Sequence, residues 1–163
     1  MPQVKINATA PDFELDDFQG NPVKLSDFLG KKNVVLVFNR GFTWPFCKMH
    51  LAQLRRDYQL FIDRDVEVIA VGPEGPGQFK SYWQSNDLPF IGLPDPEFSV
   101  LKLYGQEVNL FKLGRMPAQV IVDRNGVARY AHYGKSMSDI PSNQELLALL
   151  DSINEITLDP VAL

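Results

Sequence analysis

A six-residue apolar run, Asn33–Phe38, most constrains what this chain can fold into. It reads Asn-Val-Val-Leu-Val-Phe, which is too short for a helix and has no polar face, so it is typical of a central strand buried on both sides. A second apolar run follows at residues 66–71, and between the two lies a segment whose apolar residues recur at three- and four-residue steps. This order predicts an α/β fold in which helices cover a central sheet.

The rest of the chain fits the same fold. A short hairpin is predicted over residues 13–25 and a brief helical turn from Ser26. A second hairpin is predicted, with strands at 118–122 and 127–130 joined around Asn125-Gly126, because Asn-Gly readily takes the positive φ angles of tight turns. The remaining predicted elements are helices at 79–85, 97–104 and 143–156 and an extended piece at 88–93. We therefore predict one domain over residues 1–163, with a central mixed β-sheet flanked by helices and an N-terminal β-hairpin.

Composition narrows the classes of function. The net charge is −4 and the sequence pI is about 5.1, which argues against a nucleic-acid or anionic-membrane partner. No run of about 18 apolar residues occurs, so no spanning helix and no membrane association are expected. The single cysteine cannot form an internal disulfide, and two histidines without clustered carboxylates give no metal-ligand pattern. A cytoplasmic protein is expected, with no metal site.

That cysteine, Cys47, lies where the buried strand has ended and the amphipathic helix begins, just after Pro45. Unpaired N–H groups and the helix dipole at such a position favour the thiolate and lower a cysteine pKa. Arg40, Lys48 and His50 are cations close in sequence. A lone cysteine is often an inert, buried hydrophobe, and that interpretation stays open. The helix-start position favours a nucleophilic Cys47.

Several motifs occur in a fixed order along the chain. They are Ala-Pro-Asp-Phe at 10–13, Gly-Phe-Thr-Trp-Pro-Phe-Cys at 41–47, Leu-Pro-Phe at 88–90 with Asp-Pro at 95–96, Tyr-Gly at 104–105, and Met-Pro-Ala-Gln at 116–119 followed by Asp123 and Gly126. Together they resemble the AhpC/TSA peroxiredoxin family, especially its peroxiredoxin-like bacterial branch. The resemblance implies a thioredoxin-like fold and a peroxidatic cysteine at Cys47. In that chemistry the thiolate attacks a peroxide and becomes a sulfenic acid, which a second thiol reduces.

The chain departs from the family motif Pro-x-x-x-Thr/Ser-x-x-Cys, because Arg40 and Trp44 stand at its first and fifth places. The hydroxyl that the motif supplies can come from Thr43 if the loop shifts by one residue; an ordinary loop threonine is the alternative. The cation beside the peroxide is predicted to be Arg40 or Arg115, for both of which a solvated surface role is the alternative.

Five further residues are predicted to shape or support the pocket. Trp44 either narrows the peroxide path or forms an apolar wall for an organic hydroperoxide, and Pro45 begins the helix. His50 lies one turn after Cys47 and either supports the site or fills space. Met116 and Pro117 match the thioredoxin-fold proline that is usually cis and lies against the active cysteine.

These observations predict a one-cysteine thiol peroxidase that reduces hydrogen peroxide or small organic hydroperoxides without a cofactor. The recycling thiol must be external, of thioredoxin, glutaredoxin or glutathione type, and the resemblance also allows a homodimer. A catalytically degenerate domain that acts as a redox sensor or binding module is the main alternative. A thiol transferase that works through mixed disulfides is a weaker one.

Overall fold

The computed structural model describes residues 3–106, 108–109 and 114–158, and the side chains of 3–106 and 116–155. The strands are β1 (Glu14–Asp16), β2 (Pro22–Lys24), β3 (Asn33–Phe38), β4 (Val66–Gly72), β5 (Ile91–Pro94), β6 (Val108–Asn109), β7 (Gly114–Arg115), β8 (Ala118–Val122) and β9 (Ala128–Tyr133). The helices are α1 (Pro45–Ile62), α2 (Pro76–Asn86), α3 (Ser99–Leu103) and α4 (Asn143–Leu158), and a 3₁₀ turn covers Leu25–Phe28. None of these helices is long and apolar enough to cross a membrane, a statement that covers the described residues.

Five strands form the central sheet, in the order β5-β4-β3-β8-β9. β3, β4 and β5 are parallel, whereas β8 pairs antiparallel with both β3 and β9. All six residues of β3 and all seven of β4 are buried, as expected for strands covered on both faces. Strands β1 and β2 form the separate N-terminal hairpin. The mixed sheet and the hairpin confirm the predicted fold class.

Each face of the sheet has its own apolar core. On one face, Val35 and Val37 of β3 pack with apolar residues of α1, α2 and α4. On the other face, Leu36 and Phe38 pack with α3 and with the segment around Phe13. The alternation along β3 sends neighbouring side chains into different cores, which explains why the whole run is apolar. Helices therefore cover both faces, as predicted.

Local detail differs from the predictions at several element ends and in one ribbon; α2, for example, begins at Pro76 and not at residue 79. The 3₁₀ turn begins at Leu25 and not at Ser26, because the Lys24 N–H donates to Asp27 Oδ2 at 3.1 Å and Lys24 takes the N-cap position. The strand predicted at 127–130 runs on to Tyr133, since it pairs with the whole length of β8. The small ribbon of β6 and β7 has no predicted counterpart.

The topology brings several loops to one edge of the sheet. The parallel strands β3, β4 and β5 all end at this edge, and the antiparallel strand β8 begins there. Ligands of open α/β sheets commonly bind outside the carboxyl ends of parallel strands. The loop after β3 leads into α1, and the loop after β4 leads into α2. Cys47 lies at this edge.

Candidate active site

Cys47 is the third residue of α1 and is 1% exposed. Trp44 takes the N-cap position in an extended conformation and Pro45 begins the helix, as predicted. Proline is suited to this place because its missing N–H would have had no helical partner. The first turn of α1 therefore directs its positive end toward the cysteine, which is the local arrangement that the sequence predicts.

The loop between β3 and α1 folds back over the sulfur. The backbone N–H groups of Arg40 and Gly41 donate hydrogen bonds to Cys47 Sγ, and the Arg40 guanidinium interacts with its charge. Burial nevertheless raises the pKa of Cys47, and its effect exceeds that of these donors and of Arg40, which lower the pKa. The expectation of a lowered pKa is therefore wrong, because burial disfavours the charged thiolate.

Arg40 and Trp44, the two departures from the family motif, contact each other. Arg40 Cζ lies 4.0 Å from the centroid of the Trp44 ring, so the guanidinium is stacked on the indole. Arg40 is only 5% exposed, and burial lowers its pKa while the Cys47 charge raises it. A cation–π contact of this kind is worth about 0.5–2 kcal/mol, depending on desolvation. Trp44 thus orients the cation that interacts with Cys47.

Gly41 takes φ +141°, a conformation that L side chains rarely adopt. A Cβ placed there would meet Glu74 Oε2 at 2.8 Å, so the carboxylate approaches the backbone closely. Glu74 Oε2 also accepts a hydrogen bond from the Phe42 N–H at 2.9 Å. Glu74 lies in the loop after β4, and its charge acts on Cys47 as well. This carboxylate is a member of the site that was not predicted from the sequence.

Aromatic side chains form the wall beside this loop. The rings of Phe42 and Tyr82 stack with centroids 4.3 Å apart and planes 11° apart. Phe42 also contacts Phe79 edge-on at 4.8 Å. Burial raises the pKa of Tyr82, and the Cys47 charge raises it further, which shows that the phenol lies near the sulfur. Tyr82 is therefore part of the surroundings of Cys47 and not only a core residue.

His50 is buried, with 3% of its surface exposed, on the same helix as Cys47 and one turn later. Burial lowers its pKa to about 4, so the imidazole is neutral at neutral pH. Its Nε2 atom has no hydrogen-bond partner within the described part of the chain. His50 therefore cannot act as the cation that stabilises a thiolate.

Met116 and Pro117 are buried at the start of β8. The Gln106 amide donates to the Met116 carbonyl at 3.0 Å and to the Asn39 carbonyl at 3.2 Å, which ties this segment to the loop before Cys47. No cis peptide bond occurs between described residues, so the expectation of a cis Pro117 is wrong. The Gly134 N–H donates a hydrogen bond to the Pro117 carbonyl at 2.8 Å, which is a further contact of this segment.

One predicted residue, Thr43, does not appear among the described groups around the sulfur. Thr43 is exposed, and the groups that interact with Cys47 are the N–H groups of Arg40 and Gly41, the Arg40 guanidinium, Glu74 and Tyr82. The Arg115 side chain lies outside the described residues. In the part of the chain that the structure describes, no group of three or more His, Cys, Asp or Glu side chains could hold a metal ion.

Three residues near the site, Glu74, Tyr82 and Gln106, were not predicted from the sequence. One signal was available for Glu74, because it follows a buried strand parallel to β3 and such strands end at a common edge. Tyr82 reads from sequence as an ordinary aromatic residue of a helix, and nothing local marks Gln106. Only the packing of α2 and of the loop after α3 brings the last two toward the site.

Known proteins resemble this chain over most of its length. Residues 6–131 match the AhpC/TSA family. Peroxiredoxin Q of Sedum lineare, a chloroplastic protein, is 31% identical over 153 residues, which cover 93% of this chain and 80% of that protein. Peroxiredoxin Bcp of Bacillus subtilis is 30% identical over 132 residues, which cover 76% of this chain and 81% of that protein.

A solved structure of the yeast mitochondrial 1-Cys peroxiredoxin superposes with a TM-score of 0.81 at 19% identity. The match covers 95% of this chain and 78% of that one, and it shows a shared fold. The fold, the family match and the two relatives agree with one another. This chain belongs to the AhpC/TSA family.

Proposed function

We propose that this chain is a one-cysteine thiol peroxidase that reduces hydrogen peroxide or small organic hydroperoxides at Cys47. The observation that carries the proposal is the set of donors directed at one sulfur, namely the N–H groups of Arg40 and Gly41 and the Arg40 guanidinium. Such donors stabilise negative charge that develops in a transition state. The relatives named peroxiredoxin support an enzyme of this class.

In the first step the Cys47 thiolate attacks the terminal oxygen of the peroxide. A sulfur–oxygen bond forms and the oxygen–oxygen bond breaks, so that Cys47 is oxidised to a sulfenic acid. The leaving hydroxide or alkoxide takes up a proton and departs as water or an alcohol. The charge on the peroxide oxygens grows during this step, and Arg40 and the loop N–H groups are placed to stabilise it.

The second half of the cycle needs thiols from outside the chain, because Cys47 is its only cysteine. One external thiol displaces water from the sulfenic acid and forms a mixed disulfide, and a second thiol releases reduced Cys47 and an external disulfide. The yeast mitochondrial 1-Cys peroxiredoxin is described as resolving its thiol via glutathione and thioredoxin systems. We propose a reductant of thioredoxin, glutaredoxin or glutathione type for this chain, with no cofactor.

Within this site, Arg40 is the proposed catalytic cation and Trp44 the residue that orients it through the ring contact of 4.0 Å. The hydroxyl of Thr43 and the guanidinium of Arg115 stay predictions. Assembly as a homodimer and a cytoplasmic location are proposals of the same kind; one relative is chloroplastic and another is bacterial.

One observation favours the alternative of a redox sensor without efficient turnover. Burial raises the pKa of Cys47, so less of it is thiolate at neutral pH than the helix position alone would give. Cys47 must therefore lose its proton either before a peroxide enters the site or as the peroxide enters. The rate of the first step separates the two functions.

The deciding experiment mixes reduced protein with hydrogen peroxide in a stopped-flow instrument and follows the fluorescence of Trp44 and Trp83. Mass spectrometry of quenched samples measures sulfenic acid at Cys47, and Cys47→Ser is the control. Oxidation orders of magnitude faster than that of free cysteine is expected, and Cys47→Ser should show none. Oxidation no faster than that of free cysteine would contradict the peroxidase function and favour the redox sensor.

A further inference from the structure

The Glu74 carboxylate lies between two glycines at the edge of the sheet that holds Cys47. A Cβ at Gly41 would meet Oε2 at 2.8 Å, and a Cβ at Gly72 would meet Oε1 at 3.2 Å. The space that this carboxylate occupies therefore exists because neither neighbour has a side chain. A carboxylate packed against backbone in this way is held in one place.

One hydrogen bond links this carboxylate to the loop that surrounds the sulfur. Glu74 Oε2 accepts the Phe42 N–H at 2.9 Å, directly after the two residues whose N–H groups bond to Cys47 Sγ. Three consecutive N–H groups therefore point inward, two at the sulfur and one at the carboxylate. Glu74 Oε1 is buried and has no partner among the residues that the structure describes.

We propose that Glu74 is a positioning residue for the reaction of Cys47: it holds the loop of residues 40–42 so that its N–H groups reach the sulfur. The negative charge that this geometry places beside the loop also acts on Cys47. The inference rests on the proposed function, since the loop matters because it presents donors to the peroxide. A buried carboxylate costs stability unless its oxygens are bonded, so an orphaned Oε1 beside the nucleophile is more readily explained by function than by folding.

The described groups that act on Cys47 come from three elements. The β3–α1 loop contributes Arg40, the loop after β4 contributes Glu74, and α2 contributes Tyr82. On α1 itself His50 is buried and neutral, and Lys48 is exposed. Burial raises the pKa of Cys47 most, and of the charged groups Arg40 lowers it while Glu74 raises it. Removal of the Glu74 charge should therefore lower the pKa of Cys47, because no negative charge then opposes the effect of Arg40.

The test compares Glu74→Gln, Glu74→Ala and a matched charge control, Asp63→Asn, at the other end of α1. Asp63 follows the 18 residues of that helix and is exposed. Ionisation of Cys47, the single cysteine, is followed by the ultraviolet absorbance of the thiolate against pH, with Cys47→Ser as the blank. No peroxide is present, so the result does not depend on whether the protein is a peroxidase.

Glu74→Gln should move the Cys47 midpoint to lower pH by about half a pH unit or more, which raises the thiolate fraction below the midpoint about threefold. Because glutamine still accepts the Phe42 N–H, its peroxide rate constant per thiolate should equal that of wild type. Glu74→Ala should also lower the midpoint, but its rate constant per thiolate should fall about tenfold as the loop loses its anchor. Asp63→Asn should change neither quantity.

A Glu74→Ala rate constant per thiolate equal to that of wild type would overturn the positioning role and leave the peroxidase proposal untouched. A Glu74→Gln midpoint equal to that of wild type would overturn the effect of the Glu74 charge. If the wild-type protein is oxidised slowly but Glu74→Gln still shifts the Cys47 midpoint, the proposed peroxidase function is contradicted and the electrostatic role of Glu74 is supported. If Glu74→Gln fails to fold, Glu74→Asp is used instead, because its side chain is one methylene shorter and keeps the charge farther from the loop. A smaller shift in the same direction is then expected, and no shift would overturn the inference.

Discussion

Where β3 begins and β8 ends, away from Cys47, the buried side chains of Asn33 and Asp123 have hydrogen-bond partners. Asn33 donates to Asn154 Oδ1 at 2.7 Å and accepts the Arg124 N–H at 2.9 Å. Asp123 accepts hydrogen bonds from two backbone N–H groups. Its Oδ2 atom also forms an ion pair with Arg129 Nε at 2.7 Å. These contacts hold the turn between β8 and β9 against the start of β3.

At the opposite end, near Cys47, the loop after β3, helix α1 and strand β8 carry buried polar atoms with no partner among the described residues. These atoms are Asn39 Nδ2, His50 Nε2 and both polar atoms of the Gln119 amide. An unpaired buried group of this kind costs about 1–3 kcal/mol. For these side chains, we infer that the contacts of Asn33 and Asp123 serve stability, whereas the end of the sheet near Cys47 gives up some stability.

The largest effect is expected at the functional end. Arg40→Met removes the cation that interacts with Cys47 and that stacks on Trp44, so the rate of peroxide oxidation of Cys47 should fall about 100-fold or more. Stopped-flow fluorescence measures the rate, and the matched control is Arg55→Met, a half-exposed arginine of α1 paired with Asp87. A fall of less than a few-fold in Arg40→Met would mean that Arg40 is not the catalytic cation.

At the structural end, Asp123→Ala should lower the free energy of unfolding by about 3 kcal/mol without changing the oxidation rate of Cys47. The Asp123 side chain is fully buried, and its loss leaves two N–H groups and Arg129 without their acceptor. Urea unfolding measures the loss, and Asp16→Ala, an exposed residue of β1, should change stability by under about 0.5 kcal/mol. A slowed oxidation in Asp123→Ala would show that the two ends are coupled.

A pH prediction follows from His50. The folded state lowers its pKa from 6.5 to about 4, so its neutral form contributes stability that is fully present above pH 6.5 and is lost as the pH falls toward 4. The loss should reach about 3 kcal/mol. His50→Gln should remove this part of the acid dependence of unfolding, whereas His132→Gln, at a half-buried histidine paired with Asp139, should retain it. Equal acid dependence in wild type and His50→Gln would contradict the prediction.

The smallest effect compares two buried glutamines. Gln119→Leu replaces an amide that has no partner among the described residues by an apolar group, and it should leave stability unchanged or raise it by about 1 kcal/mol. Gln106→Leu removes three hydrogen bonds, to the carbonyls of Phe38, Asn39 and Met116, and should cost about 1–3 kcal/mol. Thermal unfolding of both variants measures the difference. Destabilisation of Gln119→Leu as large as that of Gln106→Leu would show that the unpartnered Gln119 amide does not cost stability.

Much of the fold could be predicted because its signals are local. The apolar run of β3 and the start of α1 at Pro45 occur where the pattern places them. Strand ends that depend on a partner could not be predicted in this way, as the extension of β9 to Tyr133 shows. The organisation of residues 1–163 as one domain stays a prediction.

For the site, the sequence by itself determined the place of Cys47 in the first turn of a helix and the nearby Arg40 and Trp44, and it predicts Cys47 as the nucleophile. These depend only on the order of residues along one strand, loop and helix. The tertiary structure decided which groups act on the sulfur from elsewhere, namely Glu74 and Tyr82. It also decided that burial raises the pKa of Cys47, because desolvation depends on what covers a group and not on its sequence neighbours.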